Sequence, residues 1–376
     1  MRASERASQG RFGRAILYAG ENGFEVEVPG GPTQIVVERG TEYTPLRLTL
    51  TVPWTGTVDV DAPLERWIDL PDQGWYGGNT HVHYSEVESR PLDRLRLDPR
   101  VEDLPVLVVS VLRRRDLPYA SNAFPIGRHS FSTDAHVIDI GEESRHNMEP
   151  WLMGLGHIML LNIRELVEPV SRGVLVDDTN PDYPPLVDAC DTARAQGGLV
   201  LWCHNGNGME APIAAMLGRL DGLNLFDPYW MDPEYDLWYA LLNCGIRLPA
   251  STGSDWFVCS SNRVYVSLGA SEAFSYANWL AGLAAGRTLI TNGRHEPLDS
   301  IELIVDGAVA ARSPVYLRPL PDRDRLRAAG QLFLERIDAA TDWLAKQARF
   351  EAPSQRERML QLFAEGRSAY AALVAR

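Results

Sequence analysis

"LPVLVVSVL", Leu104–Leu112, is apolar throughout except for Ser110. A strand with one wet face alternates apolar and polar residues, and this run does not. It reads as a strand buried on both faces, the pattern of a parallel sheet between layers of helix. Four further short apolar runs follow it: "AHVIDIG" (Ala135–Gly141), "GLVLWCH" (Gly198–His204), "LNLFDPYW" (Leu223–Trp230) and "IRLPASTGSD" (Ile246–Asp255). Helix-like segments separate them. Between Gly74 and Asn292, this pattern predicts an α/β fold with a closed or nearly closed β/α barrel.

On the N-terminal side the period changes. "FEVEVPGG", "TQIVVERG", "LRLTLTVPW" and "GTVDVDAP", within residues 24–63, alternate apolar and polar positions with Gly or Pro between them. That is the pattern of an antiparallel β-sandwich. After the barrel, "LDSIELIVDGAVA" and "SPVYL" again read as strands, with Asp306-Gly307 as a turn. From Asp322 onward the chain reads as helix, with Leu326, Phe333, Ile337 and Leu344 at helical spacing. Ser354–Glu357, "SQRE", reads as a capping box that opens a second helix. The expected organisation is a sandwich over residues 1–72, a barrel over 73–298, strands returning to the sandwich over 299–320 and a helical hairpin over 321–376.

With 376 residues and 45% hydrophobic content, the chain can bury a sizeable core. Its net charge is −14, so its surface repels phosphate backbones and anionic membranes. Nucleic acid and membrane partners are not expected, and homo-oligomerisation stays open. The four cysteines form no C-x-x-C pair and read as reduced thiols, with Cys203 near the residues singled out below. The first residues contain no long apolar segment, and the chain reads as cytoplasmic.

The chemistry lies where the apolar runs stop. "HVIDIGEESRH" ends its run at Glu142 and Glu143, "GLVLWCHNGNG" at His204, and "LPASTGSDWF" at Asp255. "GWYGGNTHVHYSEVESR", Gly74–Arg90, opens the barrel region with His81 and His83 one residue apart. In an extended strand both imidazoles point the same way. A β/α barrel gathers the C-terminal ends of its strands onto one face. Each residue alone has an ordinary explanation: Asp255 a helix N-cap, Glu143 a loop charge, His204 a satisfied histidine. Together they favour a shared metal site. In "WLMGLGHIMLLNI", His157 is the one side chain able to ligate a metal, and a core histidine is the ordinary reading there.

"GGNTHVHYS", "GEE…GLGH", "LWCHNGNG", "STGSDWFVCSSNRVYV" and "LAAGRTLITNG" occur in the order found in CehA/McbA-type metallohydrolases. The chain resembles that family, within the polymerase-and-histidinol-phosphatase (PHP) superfamily, from about residue 20 to 317. The resemblance implies a distorted seven-fold β/α barrel with an attached β-sandwich. It makes His81, His83, Glu143 and Asp255 ligands of one metal, and Glu143 a bridge to a second held by His157 and His204. Glu143 is preferred to Glu142 because the superfamily pattern is glycine, any residue, glutamate, and Gly141 precedes it by two. The family's D-x-H is here Asp255-Trp256-Phe257, which lacks a third-metal histidine. Two ions are implied, with Trp256 or Phe257 walling a pocket for an apolar or aromatic substrate.

Imidazoles and carboxylates suit zinc, with manganese or iron as alternatives. Such a pair lowers the pKa of bound water and polarises a carbonyl or phosphoryl oxygen. The expected activity is hydrolysis of an amide, carbamate or ester bond in a small molecule, with Glu143, Asp255 and His204 central to catalysis. The alternatives are a phosphoesterase and a non-catalytic binding protein on a degenerate barrel. Tyr84, Asn205, Trp256, Arg263 and His295 are candidates for substrate contact, and Asn207 for a supporting role. His129, His136 and His146 read as structural or surface residues.

Overall fold

The computed structural model describes residues 4–6, 16–18, 25–84, 91–113, 122–147, 155–173, 176, 183–204, 210–225, 227, 232–255, 262–269, 272–291, 300–305, 308–314, 323–346 and 352–375. Near the N-terminus, β1 (Ser4–Arg6) pairs with β2 (Ile16–Tyr18), and β3 (Gly31–Val37) with β4 (Leu46–Val52). The main sheet contains β5 (Trp75–Val82), β6 (Val106–Val111), β7 (Gly127–Arg128), β8 (Val137–Asn147), β9 (Gly156–Leu161), β10 (Ser171–Gly173), β11 (Leu199–Trp202), β12 (Gly222–Asn224), β13 (Ala250–Ser251), β14 (Arg263–Ser267) and β15 (Thr288–Thr291). Its order is β13-β12-β11-β9-β8-β6-β5-β14-β15, with β7 and β10 pairing on β8. β13 and β15, the two ends of that order, are in contact, so the sheet is nearly closed like a barrel. A last ladder joins β16 (Ser300–Val305) to β17 (Ala308–Pro314).

The sheet is mixed rather than uniformly parallel. β5, β6 and β8 run parallel, as do β11, β12 and β13. β9 is antiparallel to both β8 and β11, and β14 to both β5 and β15. Only residues 148–155 lie between β8 and β9. A parallel crossover needs about a dozen residues or more, so this connection forces antiparallel pairing.

Alternation along β9 sorts the core. Ile158 and Leu160 join a cluster with Val200 and Trp202 of β11 beneath the helices α2 (Leu186–Ala195), α3 (Ala211–Met216), α4 (Asp232–Asn243), α6 (Arg323–Lys346) and α7 (Pro353–Val374). Met159 and Leu161, on the other face, pack with Val106, Val108, Val264 and Val266 against Trp279 and Leu283 of α5 (Tyr276–Ala284). His157 shares that second face, so an apolar floor continues from it along the strand. Ile138 and Ile140 of β8 meet Leu95 of α1 (Pro91–Val101) in a third cluster.

Outside the barrel the elements differ from the sequence pattern. Of the four alternating N-terminal runs, two supply β3 and β4, whereas residues 25–29 and 57–63 pair with no strand among the described residues. Val26, Val28, Val58 and Val60 are exposed. The β3–β4 and β16–β17 ladders are separate two-stranded sheets. α6 and α7 pack on one another, α6 also on α4 and α7 on α3. Helix α7 starts at Pro353, one residue before the expected capping box. Gln355 Oε1 accepts from the Ala352 amide at 3.3 Å, the back-reaching half of such a box, and Pro353 occupies the first helical position. Among the described residues, no helix is long and apolar enough to cross a membrane.

Two buried carboxyls carry a pH dependence. Glu142 lies on the β8 face opposite Glu143 and accepts from the Val167 amide at 2.7 Å. Glu210 accepts from the amides of Leu186 and Val187, at 3.1 and 3.0 Å. It thereby caps α2, whose own N-cap residue Pro185 offers no side-chain cap. Burial raises both carboxyls to about 7 despite these bonds. The folded state therefore holds each proton to a higher pH than the unfolded chain does. Their contribution is complete below about pH 4 and is lost as pH rises through 7, by up to ~3 kcal/mol each. Urea unfolding of the metal-free protein between pH 5 and 8 should show this fall, and Glu142→Gln should flatten it. An unchanged slope in Glu142→Gln would contradict the assignment.

Candidate metal centre

Backbone pairing brings Asp255 to the His-Val-His strand. The Asp255 amide donates to the His81 carbonyl at 2.9 Å, and the His83 amide donates to the Asp255 carbonyl at 2.9 Å. This parallel bridge, Val82 to Asp255, sets the carboxylate beside both imidazoles. Asp255 takes a left-handed backbone, φ 56°, which Asp tolerates better than most residues. At Gly253 a Cβ would lie 2.4 Å from His81 Cβ and 2.7 Å from its backbone nitrogen, so only glycine permits this approach. Glu143 arrives from β8, where Gly141 makes room similarly: a Cβ there would lie 2.4 Å from the Leu160 carbonyl oxygen.

Four donor atoms converge in a first set. His83 Nε2 lies 3.1 Å from His81 Nε2, 3.2 Å from Glu143 Oε2 and 3.2 Å from Asp255 Oδ1. His81 Nε2 lies 3.5 Å from Asp255 Oδ1 and 4.0 Å from Glu143 Oε2. A second set forms around the other oxygen of Glu143. Oε1 lies 3.1 Å from His157 Nδ1 and 3.6 Å from His204 Nε2, and Asp255 Oδ2 lies 3.8 Å from the same His204 atom. Two donors each ~2.1 Å from one tetrahedral ion stand ~3.4 Å apart. The separations, 3.1 to 4.0 Å, bracket that spacing, and the side chains are buried. The residues could therefore hold a metal ion.

Without ions, protons balance the site. Burial opposes charge on His83 and His204, but neighbouring carboxylates outweigh it. Asp255 and Glu143 raise His83 to about 9, and Asp255 and Glu143 with Asp227 raise His204 to about 10. Burial likewise opposes the anionic carboxylates, yet the His204, His81 and His83 rings hold Asp255 down at about 2. Arg145 and the rings keep Glu143 well below the usual carboxylate range. Burial and the adjacent Arg145 push His157 well below the usual imidazole value, so its ring is neutral.

Two members escaped the sequence reading. Asp227 Oδ2 lies 2.8 Å from His81 Nδ1 and accepts from Asn224 Nδ2 at 2.9 Å. It holds the ring so that Nε2 faces the cluster, the role of a carboxylate behind a metal-binding histidine. Its signal was present: "LNLF" stops at Asp227 as the other runs stop at His204 and Asp255. Arg145 Nη1 donates to Glu143 Oε2 at 3.1 Å, and Nη2 lies 3.2 Å from His157 Nε2. It stands two residues beyond Glu143, on the same strand face. Cys203 also approaches His81 and His204, but burial raises its thiol pKa well above normal, so it is a protonated neighbour.

The six expected ligands, His81, His83, Glu143, His157, His204 and Asp255, thus come together, while Glu142 points away. Tyr84 does not join them. One residue past His83, it turns with Val82 into the third core cluster, where its hydroxyl donates to Asp98 Oδ2 at 2.6 Å. Arg263 is likewise buried elsewhere, its Nη2 donating to Glu102 Oε2 at 3.3 Å. Neither makes a contact with the cluster among the described residues. Asn205, Asn207, Trp256, Phe257 and His295 lie outside the described residues. His146 is buried and its Nδ1 accepts from the Leu155 amide, while the half-buried His136 faces the Leu104 carbonyl. His129 Nδ1 accepts from the Phe131 amide.

Each set contains one imidazole that is protonated at pH 7, His83 in the first and His204 in the second. An ion must displace such a proton, so binding should release protons at pH 7. Affinity of the first set should rise about tenfold per pH unit up to about pH 9. Calorimetric zinc titrations in buffers of differing ionisation heat report this release directly. Heats independent of the buffer would contradict it.

Comparison with known proteins adds no relative: no family model matches the chain, and no curated protein is significantly similar to it.

Proposed function

We propose that this chain is a divalent-metal-dependent hydrolase that cleaves an amide, carbamate or ester bond of a small molecule. In this reading it is a CehA/McbA-type member of the PHP superfamily, with a distorted (β/α)7 barrel, an N-terminal sandwich and a C-terminal helical hairpin. The observation that carries it is Glu143, which presents Oε2 to one donor set and Oε1 to the other. A carboxylate shared in this way is what a pair of ions requires. The near-closed sheet and the packing of α6 on α7 support the architecture.

His81, His83, Glu143 and Asp255 would hold one ion, and Glu143, His157 and His204 the other, with zinc first among the candidates. Bound ions would lower the pKa of water and polarise the oxygen of the scissile group. The chain supplies the rest. Asp227 fixes the His81 ring through Nδ1. His204 and Asp255 keep about 5% exposure each, whereas His81, His83, Glu143 and His157 keep none. Arg145 keeps about the same, so solvent and substrate would reach the cluster past these three side chains. Asp255 Oδ2, turned toward His204 rather than into the first set, would orient an attacking water. The apolar floor below His157 excludes bulk water from the opposite side.

The test is metal content of the pure protein beside assays on aryl acetate, aryl carbamate and aryl phosphate. Turnover of the first two that disappears with chelation is expected. Faster turnover of the phosphate would reassign the bond. Glu143→Gln should cut activity by at least ~100-fold, as for loss of a group central to charge stabilisation. Glu142→Gln, on the opposite face of β8, should keep most activity. The reverse ranking would remove Glu143 from the centre.

A further inference from the structure

We infer that Arg145 and a second divalent ion compete for His157, so that the two ion sets fill in order. The inference rests on the reading that this cluster binds divalent ions. It follows from hydrogen-bond roles. A guanidinium carries donors only. With Arg145 Nη2 3.2 Å from His157 Nε2, the ring nitrogen must accept. The neutral ring then carries its proton on Nδ1. Yet Nδ1 is the atom that faces Glu143 Oε1 at 3.1 Å and belongs to the second donor set. An ion needs the lone pair of that atom.

Ligation through Nδ1 therefore requires the opposite tautomer. One proton leaves Nδ1 and one is taken up at Nε2, so the ring stays neutral. The new Nε2–H would then point at an Arg145 N–H, donor against donor, with the His157 ring wholly buried. Ligation through Nε2 fails for a simpler reason, because the guanidinium stands there. So the second set fills only when Arg145 releases the ring. The first set has no such conflict. Its contact with Arg145 is through Glu143 Oε2, a carboxylate oxygen that can accept from a guanidinium and ligate an ion at once. Arg145 is thus a positioning residue that makes the two sets unequal.

The experiment is a zinc or manganese titration of metal-free protein, followed by calorimetry, for the wild type, Arg145→Met and Arg145→Lys. In the wild type the second step should be weaker than the first. Arg145→Met should strengthen the second step by on the order of 10–100-fold, the size of effect that residues behind metal ligands have. Arg145→Lys, with a charge but a single nitrogen in place of the fork that spans Glu143 and His157, should fall between. A second step unchanged or weakened in Arg145→Met overturns the inference. Should that variant fail to fold, nitrogen-15 NMR of the wild-type imidazoles decides. His157 is expected to be protonated at Nδ1 without metal and at Nε2 when fully loaded. A proton on Nε2 in the metal-free protein overturns the inference. Two equal steps in wild type and variants sink it but leave the metal reading intact. No binding in any of them sinks that reading, and the inference with it.

Discussion

The centre depends on one short backbone bridge, in which Asp255 exchanges hydrogen bonds with His81 and His83 across Val82. Alternation already aims the two imidazoles at one point, but it brings no carboxylate. The bridge brings one from far along the chain. It needs a backbone at Asp255 that few side chains tolerate and a glycine at 253 that no side chain could replace without meeting His81. Strained or crowded backbone of this kind persists where the surrounding structure holds it, and it gathers at functional sites.

Charge explains why the cluster can be buried at all. Isolated carboxylates in such a place would take up protons, because burial disfavours the ionised form. Glu143 and Asp255 instead remain anionic, and the protons sit on His83 and His204. In the first set an ion could replace such a proton without rearranging the side chains, since those donor atoms already stand near ligand spacing. Glu142 shows the contrast. On the other face of the same strand, burial outweighs the Arg172 charge, and its carboxyl is raised to about 7.

Much of this was legible in the sequence, and the failures have physical causes. Period-two alternation placed His81 and His83 together. Polar residues ending apolar runs marked His204, Asp255 and the Glu142–Glu143 pair, while the choice of Glu143 and the addition of His157 came from the family resemblance. The same parity argued against Tyr84, one position past His83, and for Arg145, two past Glu143. A count of side-chain faces alone would have exchanged those two. Apolar runs could not reveal strand direction, because a buried antiparallel strand such as β9 is as apolar as a parallel one. The short connection over residues 148–155 held that information. In the N-terminal region, alternation gave the β3–β4 ladder but not its partners. Pairing depends on residues distant in sequence, and a two-residue period does not specify them.

The most direct test of the account is an anomalous difference map from a crystal of the zinc-loaded protein. The first peak is expected ~2.0–2.2 Å from His81 Nε2, His83 Nε2, Glu143 Oε2 and Asp255 Oδ1. A second, of lower occupancy, is expected beside Glu143 Oε1, His157 Nδ1 and His204 Nε2. A loaded crystal with no peak between the imidazoles and Glu143, or with zinc held only at surface carboxylates, would contradict it.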